Sequence, residues 1–306
     1  MSTAPTLILG TAMWGWTTER ATAFQLLDQF YDRGYREVDG ATNYPINKNP
    51  EDFRRAEQIL LQWINAHGIN DLRVMMKVGS VNNMRTPECN LSKSFLLIML
   101  DEYRYAFGDN LDTFMLHWDN REAAEEIEAT FEAFQRAKDL GYRLGLSGIR
   151  HPEVHAKVNE AYGFDFRIQM KHNLLQSDYE RYKPFHGQPR FITYGVNAGG
   201  IKLDAAAYHL GSSLKARGGD TDKPHPIVGP LQKALAAANE QPGRPAVSNM
   251  NHCGMAYAFH SPDVGGILIG PSRPEQLEHT LNFHEALQRY DYSDFYEGLK
   301  QVAAQF

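Results

Sequence analysis

Cysteine is scarce in this chain of 306 residues. Only Cys89 and Cys253 are present; they lie far apart and do not form a C-x-x-C motif. The sequence therefore gives no basis for a disulfide framework or a cysteine-rich metal site, and its composition fits a reducing compartment.

Long apolar runs and clusters of basic residues are also lacking. No stretch reaches the ~18 apolar residues that a membrane helix needs. The opening segment MSTAPTLILGTAMWGW has no basic n-region, so we expect no secretory signal peptide. The net charge of −6 favours solubility and gives no reason to expect nucleic acid as a partner. We therefore expect a soluble, cytoplasmic protein without membrane or nucleic-acid partners.

What the chain does contain is an alternation of short apolar runs with longer segments of helical period. The eight candidate strands are Thr6–Gly10, Arg36–Gly40, Arg73–Gly79, Asp112–Trp118, Arg143–Gly148, Phe166–Met170, Arg190–Gly195 and Gly265–Gly270. The candidate helices between them are Ala21–Arg33, Arg54–Ala66, Leu91–Phe107, Glu122–Gly141, Glu153–Tyr162 and a pair within Pro226–His260.

Eight strands, each followed by a helix or a helix-length segment, predict a parallel sheet covered by helices. Eight repeats without a linker favour a closed (β/α)8 TIM barrel over an open doubly wound sheet, and the length suits such a barrel. No change in composition divides the chain, so we expect residues 1–306 to form one domain. Residues 43–53 and 215–229 are predicted to be long βα loops at the C-terminal rim.

Polar side chains follow three neighbouring strands at the point where each strand ends. Asp39 ends the second predicted strand, Lys77 lies near the end of the third, and His117 ends the fourth, with Tyr44 in the loop after Asp39. Each of them taken singly has an ordinary structural interpretation, although a lysine in an apolar strand needs a partner. Because the active site of a TIM barrel lies at the C-terminal ends of its strands, their joint placement indicates a catalytic site.

These residue types suggest proton transfer to a carbonyl oxygen. The reference pKa of tyrosine is about 10, so Tyr44 needs a nearby cation to stabilise its phenolate. Lys77 is a candidate for that cation, with Asp39 holding the lysine charged and oriented, and His117 is a candidate hydrogen-bond donor to the substrate oxygen. The four groups supply no electrons, so a cofactor must provide the reducing equivalent.

Several segments resemble the aldo-keto reductase family. DGATNY (39–44) is similar to the family's Asp-x-Ala-x-x-Tyr motif, and KVG (77–79) and MLHWD (115–119) match its lysine and histidine segments in order. Further similar segments are LILGTAMWGW, GLSG, IQMKHNLL, ITYGVNAGGI and ILIGPSRPEQLEHTLNF. The resemblance therefore covers nearly the whole chain.

The resemblance implies an oxidoreductase that transfers a hydride between a nicotinamide and the carbonyl or alcohol carbon of a small aldehyde, ketone or sugar-like substrate. NADP is the favoured cofactor, with NAD possible. Tyr44 would be the general acid/base, tuned by Lys77 and Asp39, and His117 would orient the carbonyl.

The resemblance also implies a set of cofactor-binding residues. Ser147 and Gln169 would bind the nicotinamide carboxamide, and Tyr194 would stack on the ring. The residues nearest the cofactor phosphate would be Gly270, Ser272, Arg273 and Gln276. Arg273 stands where a helix begins, and helix N-termini attract phosphate.

Four positions depart from the family's pattern. Gly148 stands in place of an asparagine that contacts the carboxamide, His279 and Thr280 replace a Glu-Asn pair near the adenine, and Gly40 replaces a common threonine. The segment YGVNAGG also lacks the usual Ser-Pro-Leu. These departures leave the four catalytic positions intact and bear on cofactor affinity and on the preference for NADPH.

Three tryptophans lie at predicted strand ends on the same rim. Trp14, Trp16 and Trp118 are candidates for the wall of an apolar or sugar-stacking substrate pocket. For Trp14 and Trp16, a packing role at the barrel mouth is an equally good interpretation.

Two other classes of function remain open from the sequence. The altered cofactor positions suggest a cofactor-binding regulatory or accessory protein with little turnover. His151 and His155 have the i, i+4 spacing of a helical metal pair, which suggests a metal-dependent hydrolase or isomerase, but no third ligand is apparent and we expect no metal. His252, Cys253 and His260 form an equally weak cluster.

Overall fold

The computed structural model describes residues 4–208 and 212–306. The barrel strands are β1 (Thr6–Gly10), β2 (Glu37–Ala41), β3 (Arg73–Val78), β4 (Leu111–Asp119), β5 (Arg143–Ile149), β6 (Phe166–Asn173), β8 (Phe191–Tyr194) and β9 (Val264–Ile269), and a two-residue strand β7 (Gln176–Ser177) lies between β6 and β8. The eight barrel strands are parallel in the order β5-β4-β3-β2-β1-β9-β8-β6, and pairing of β5 with β6 closes the ring. β7 pairs antiparallel with the end of β6.

Helices cover the outside of the barrel. They are α1 (Arg20–Asp32), α2 (Arg55–His67), α3 (Lys93–Phe107), α4 (Ala124–Asp139), α5 (Pro152–Tyr162), α6 (Ser213–Ala216), α7 (Val228–Asn239), α8 (Met250–His260), α9 (Pro274–Arg289) and α10 (Ser293–Ala303). Some helix ends are capped: Ser92 Oγ accepts a hydrogen bond from Phe95 N at the start of α3, and α2 and α5 end at Gly68 and Gly163 in left-handed conformation. In the part of the chain that the structure describes, no helix is long and apolar enough to cross a membrane.

Alternation along the strands divides the core into two layers. On β3, Val74, Met76 and Val78 pack outward against the helices, whereas Met75 and Lys77 point into the barrel. The apolar cluster inside the barrel consists of Ile8, Met75, Met115 and Ile192. The barrel interior is therefore filled by side chains, as expected for a ring of eight strands.

Polar groups lie above and below this apolar cluster. Towards the N-terminal ends of the strands, Arg167 forms an ion pair with Glu37 at 2.5 Å and also donates to Thr113 Oγ1 at 3.3 Å. Towards the C-terminal ends, Lys77 and Asp39 form a second buried ion pair. The apolar cluster thus separates a structural ion pair from the rim where the predicted site lies.

The predicted (β/α)8 fold is confirmed. All eight predicted strands are present, and the largest difference is at β6, which continues from Met170 to Asn173 through the polar residues KHN. α10 was not predicted, although Phe295, Leu299 and Val302 have the period of a buried helix face. The predicted loop over 215–229 is irregular between the end of α6 and the start of α7.

Candidate active site

A buried lysine–aspartate pair forms the base of the site. Lys77 and Asp39 are each only 1% exposed, and Lys77 Nζ donates to Asp39 Oδ2. Gln169 Nε2 donates to the other carboxylate oxygen, Oδ1. Burial lowers the pKa of Lys77, and the charge of Asp39 and its hydrogen bond oppose that shift. The carboxylate therefore keeps the ammonium charged in an interior that would otherwise favour its neutral form.

Tyr44 and His117 lie next to this pair. The Tyr44 ring centroid is 4.9 Å from Lys77 Nζ and 5.9 Å from the centroid of the His117 ring, which is perpendicular to it. Strands β2, β3 and β4 are neighbours in the sheet, so their ends deliver Asp39, Lys77 and His117 to one place. The structure thus brings together the four residues that the sequence predicts as a catalytic group.

The electrostatics keep Tyr44 protonated and His117 neutral at neutral pH. Burial, and then the charge of Asp39, raise the pKa of Tyr44 well above its usual value, and Arg217 opposes this shift. Burial, and then the charge of Lys77, hold the pKa of His117 well below its usual value. A neutral imidazole and a phenol each carry one hydrogen-bond donor. That Lys77 directly lowers the pKa of Tyr44 stays a prediction, because burial and the charge of Asp39 determine the direction of the shift in the folded protein.

The predicted carboxamide-binding residues adjoin the catalytic group. Ser147 lies opposite His117 on β4 and opposite Gln169 on β6, and Ser147 Oγ donates to Gln169 Oε1 at 3.3 Å. Gln169 thereby connects Ser147 to Asp39. Tyr194 ends β8; burial raises its pKa, and the charge of Tyr44 adds to the shift, so the two phenols lie within electrostatic reach.

Gly148 packs directly against the Trp118 side chain. Both residues have left-handed backbone, with φ of 67° and 63° respectively. A Cβ added at Gly148 would lie 2.5 Å from Cδ1 of the Trp118 indole, and that indole packs at 4.6 Å between centroids on the His117 ring. The indole fills the space into which a side chain at position 148 would extend, which gives a physical reason for this departure from the family's pattern.

The three predicted pocket tryptophans differ in exposure. Trp14 is 1% exposed and belongs to the outer hydrophobic core, whereas Trp16 and Trp118 are partly exposed. The guanidinium of Arg85 lies 5.9 Å from the Trp16 ring centroid. Of the three, Trp16 and Trp118 are therefore the two that keep solvent-accessible surface.

The predicted phosphate segment forms a turn before α9. Gln276 Oε1 accepts hydrogen bonds from Ser272 N and Ser272 Oγ, each at 3.0 Å. Gly270 and Arg273 are exposed, and Arg273 occupies the N-cap position without a side-chain capping bond. Lys202 was not predicted: burial lowers its pKa, and the nearby charge of Arg273 lowers it further. The sequence feature that could have identified Lys202 is its position two residues after the glycines of YGVNAGG.

Thr280, one of the positions that depart from the family's pattern near the adenine, belongs to a chain of hydrogen bonds. Thr280 Oγ1 donates to the Gln276 carbonyl oxygen at 2.8 Å and lies 3.1 Å from Asn251 Oδ1, and Asn251 Nδ2 donates to Asn197 Oδ1 at 3.3 Å. This chain connects α9 and α8 to the loop after β8. His279 is exposed.

The histidines with metal-like spacing have structural partners. His155 is fully buried; its Nε2 lies 3.0 Å from Asp119 Oδ2, and its Nδ1 lies 3.0 Å from the His151 carbonyl oxygen. Arg121 donates to the same Asp119 oxygen at 2.7 Å. Within residues 4–208 and 212–306, no group of three His, Cys, Asp or Glu side chains is arranged to hold a metal.

In the second cluster, the His252 ring stacks on Phe283 with centroids 3.9 Å apart. Cys253 is buried in the core. The His260 ring packs at 5.7 Å between centroids on Tyr296. These contacts hold the cluster as part of the packing between helices.

Two further residues at the rim, Arg85 and Arg217, were not predicted from the sequence. Arg85 follows β3, and Arg217 lies between β8 and α7. The charge of Arg217 acts on Tyr44, and that of Arg85 acts on Arg217. No strand-end position marked them, because both lie well outside the strands.

Comparison with known proteins relates nearly the whole chain to one family. The sequence model of the Aldo/keto reductase family matches residues 6–297, from the first residue of β1 into α10. An uncharacterized 11.2 kDa protein in the crtE 3′ region of Pseudescherichia vulneris is 37% identical over 82 residues, which are 25% of this chain and 76% of that protein. The family match therefore includes every barrel strand and every site residue described above.

Proposed function

Because the chain belongs to the aldo/keto reductase family, we propose that it interconverts a small aldehyde, ketone or sugar-like substrate and its alcohol, with Tyr44 as general acid/base. Family membership implies NAD(P)H-dependent oxidoreduction of carbonyl compounds, and the dinucleotide, when bound, supplies or accepts the hydride. The observation that carries the proposal is the buried Lys77–Asp39 pair, whose ammonium lies 4.9 Å from the Tyr44 ring.

In the reductive direction, the Tyr44 hydroxyl donates its proton to the substrate oxygen as charge develops there. The neutral His117 ring donates a hydrogen bond to the same oxygen and orients it. The phenolate that Tyr44 becomes lies beside the Lys77 ammonium, and Asp39 holds that ammonium in place. Fixed charges and donors in a buried site stabilise a developing oxyanion without reorganisation. Tyr44 recovers a proton before the next cycle.

Replacing the Tyr44 hydroxyl tests this assignment. In Tyr44→Phe, kcat for aldehyde reduction falls by about 10²- to 10⁴-fold, the range for loss of a positioned acid, while the Kd for NADPH stays nearly unchanged. The measurements are steady-state kinetics over a panel of carbonyl compounds and a fluorescence titration with NADPH.

Tyr35→Phe is the matched control. Burial raises the pKa of Tyr35 to about 12, and its hydroxyl bonds His284 away from the rim. This variant keeps its activity. A Tyr44→Phe protein that still reduces the panel would contradict the assignment, and tight NADPH binding by the native protein without turnover would favour a regulatory role.

NADPH is proposed as the preferred cofactor. Lys202 and Arg273 bring two positive charges together beside the start of α9, and a helix N-terminus adds a partial positive charge there. These groups suit the additional phosphate of NADPH. Ser147, Gln169 and Tyr194 are proposed at the nicotinamide end, and Gly270, Ser272 and Gln276 with Arg273 at the adenosine end.

An arginine variant separates the two dinucleotides. In Arg273→Gln, the Kd for NADPH rises by about tenfold, the effect of losing roughly 1.4 kcal/mol of binding free energy, while the Kd for NADH changes little. Arg289→Gln, an exposed arginine at the other end of α9, is the control. Equal weakening of both dinucleotides would refute the phosphate role of Arg273.

The organisation and location of the protein also remain proposals. We propose that residues 1–306 work as one domain, because the eight barrel strands run from Thr6 to Ile269 without an inserted unit in the described residues. The cytoplasmic location stays a prediction from composition.

A further inference from the structure

Two arginines at the rim, Arg85 and Arg217, have no carboxylate partner among the described residues. The arginines paired with carboxylates include Arg33, Arg54, Arg121 and Arg244. Within the described residues, neither Arg85 nor Arg217 forms an ion pair, and the charges that most affect Arg217 are those of Arg85 and Tyr44. The two guanidiniums are therefore uncompensated, although the chain as a whole carries a net charge of −6.

Arg217 lies against the loop after β1, in which Trp16 N donates to the carbonyl oxygen of Met13 at 3.2 Å. Its Nη2 lies 3.9 Å from Met13 Sδ in the loop after β1. Its charge opposes the rise in the pKa of Tyr44, so the guanidinium lies within electrostatic reach of the hydroxyl that we assign as the acid. Although Arg217 is open to solvent on one side, partial burial lowers its pKa and Arg85 lowers it further.

Arg85 is held in position by the loop that carries Tyr44. Its Nε donates to the carbonyl oxygen of Ile46 at 2.9 Å, and its guanidinium lies 5.9 Å from the Trp16 ring centroid. Its backbone has φ of 61°, which is uncommon for a residue other than glycine. Four loops thus converge here: those of Trp16, Tyr44, Arg85 and Arg217.

Arg85 and Arg217 are both exposed, so solvent screens their mutual repulsion in part, and a bound anion relieves what remains of it. Guanidinium groups suit carboxylate and phosphate groups in particular, because two parallel N–H donors can bind two oxygens of either group. An anion bound here would lie beside Tyr44, so it belongs on the molecule whose carbonyl meets the tyrosine.

We propose that the substrate carries an anionic group, a carboxylate or a phosphate, which Arg85 and Arg217 bind while its carbonyl faces Tyr44 and His117. This inference rests on the proposed reductase function and narrows its substrate class. Lys202 and Arg273, which we propose for the cofactor, are a separate basic pair, because Arg273 acts on Lys202 whereas Arg85 acts on Arg217.

Matched substrate pairs test the inference. Para-carboxybenzaldehyde is compared with its neutral methyl ester, and glyceraldehyde phosphate with glyceraldehyde. The native protein prefers the anionic member of at least one pair by about tenfold or more in kcat/KM, as expected for a charge-assisted contact worth roughly 1.4 kcal/mol or more. The pair that shows the preference distinguishes carboxylate from phosphate.

The variants Arg217→Gln and Arg85→Gln locate the preference. Each lowers the ratio of anionic to neutral kcat/KM by about tenfold, mainly through KM of the anionic substrate, and Arg217→Lys retains part of the ratio. This ratio is measured because a substitution that disturbs Tyr44 changes kcat/KM for both substrates alike and leaves their ratio unchanged. Lys215→Gln, which removes an exposed cation two residues away, leaves the ratio unchanged.

Several outcomes would overturn the inference. Turnover of neutral and anionic aldehydes at equal efficiency would refute the anion site and leave the reductase function standing. A weaker NADPH affinity in Arg217→Gln with an unchanged ratio would assign the arginine to the cofactor.

If no aldehyde of either kind is reduced, the proposed function fails. Calorimetric titration of the NADPH-bound protein with benzoate and with inorganic phosphate then tests anion binding independently of turnover. Binding that Arg217→Gln weakens supports the site, and no binding refutes it.

Discussion

Trp118 and Gly148 show how one residue determines what its neighbour can be. Both lie in the left-handed region of backbone space, and the indole of Trp118 occupies the volume next to Cα of Gly148. Asparagine tolerates that backbone better than most residues. The obstacle to the family's asparagine at position 148 is therefore the indole rather than the backbone.

Gly148→Asn consequently destabilises the protein by about 1–3 kcal/mol, the usual effect of overpacking. The indole must move, and its contact with the His117 ring moves with it. The free energy of unfolding is measured by urea denaturation. Gly163→Asn is the control, because Gly163 has φ of 61° with nothing within 4 Å of an added Cβ. Equal losses in the two variants would contradict the steric explanation.

At the residue scale, part of the candidate active site could be predicted from residue type and position in the sequence. Asp39, Lys77 and His117 could be found because a strand end places them on the rim, and a short loop adds Tyr44. Arg85, Arg217 and Lys202 could not be found in this way. Their positions depend on how long loops fold back over the barrel, which no local pattern in the sequence specifies.

At the scale of elements, His172 connects β6 to β7 and α8. Its Nε2 lies 2.8 Å from Ser261 Oγ, and its Nδ1 lies 2.8 Å from Ser177 Oγ. The Ser261 hydroxyl donates to the Tyr257 carbonyl, so it accepts from Nε2, and Nδ1 then accepts from Ser177. The ring is thus neutral in the folded protein, and burial lowers its pKa to about 4.

The stability of the protein therefore falls as pH decreases from about 6.5 to 4. Below its ordinary pKa of about 6.5, His172 takes up a proton in the unfolded chain but not in the folded one. The full shift corresponds to about 3 kcal/mol, lost across that window and constant below it. Urea denaturation at several pH values measures the effect. In His172→Gln this contribution is absent, so the stability difference between native protein and variant narrows towards pH 4; parallel curves would contradict the assignment.

Elements differed in how well the sequence predicted them. The buried strands were predicted well because continuous apolar runs bounded by glycine mark a parallel sheet. The end of β6 was not predicted, because Lys171, His172 and Asn173 are polar. Pairing with β8 and β7 holds these residues in strand conformation. α10 was overlooked despite its periodic apolar face, because it follows the last barrel strand and its helix.

For the whole molecule, the repeat of eight strand–helix units favoured a closed barrel over an open sheet, and the ring of strands is closed. The arrangement inside it was not predictable from repeats. The ion pair between Arg167 and Glu37 joins two strands that are 130 residues apart in the chain, and only closure of the ring brings them together. The same closure lets Gln169 reach Asp39 across the barrel.

The segment that joins β8 to α7 carries one member of each basic pair, Lys202 and Arg217. In the functions proposed above, the dinucleotide contacts Lys202 and the anionic group of the substrate contacts Arg217, so both ligands bind one continuous stretch of chain. Coupling between two sites is reciprocal, so each ligand changes the affinity for the other by the same factor. We therefore expect the Kd for an anionic substrate to differ between the free protein and the NADPH-bound protein.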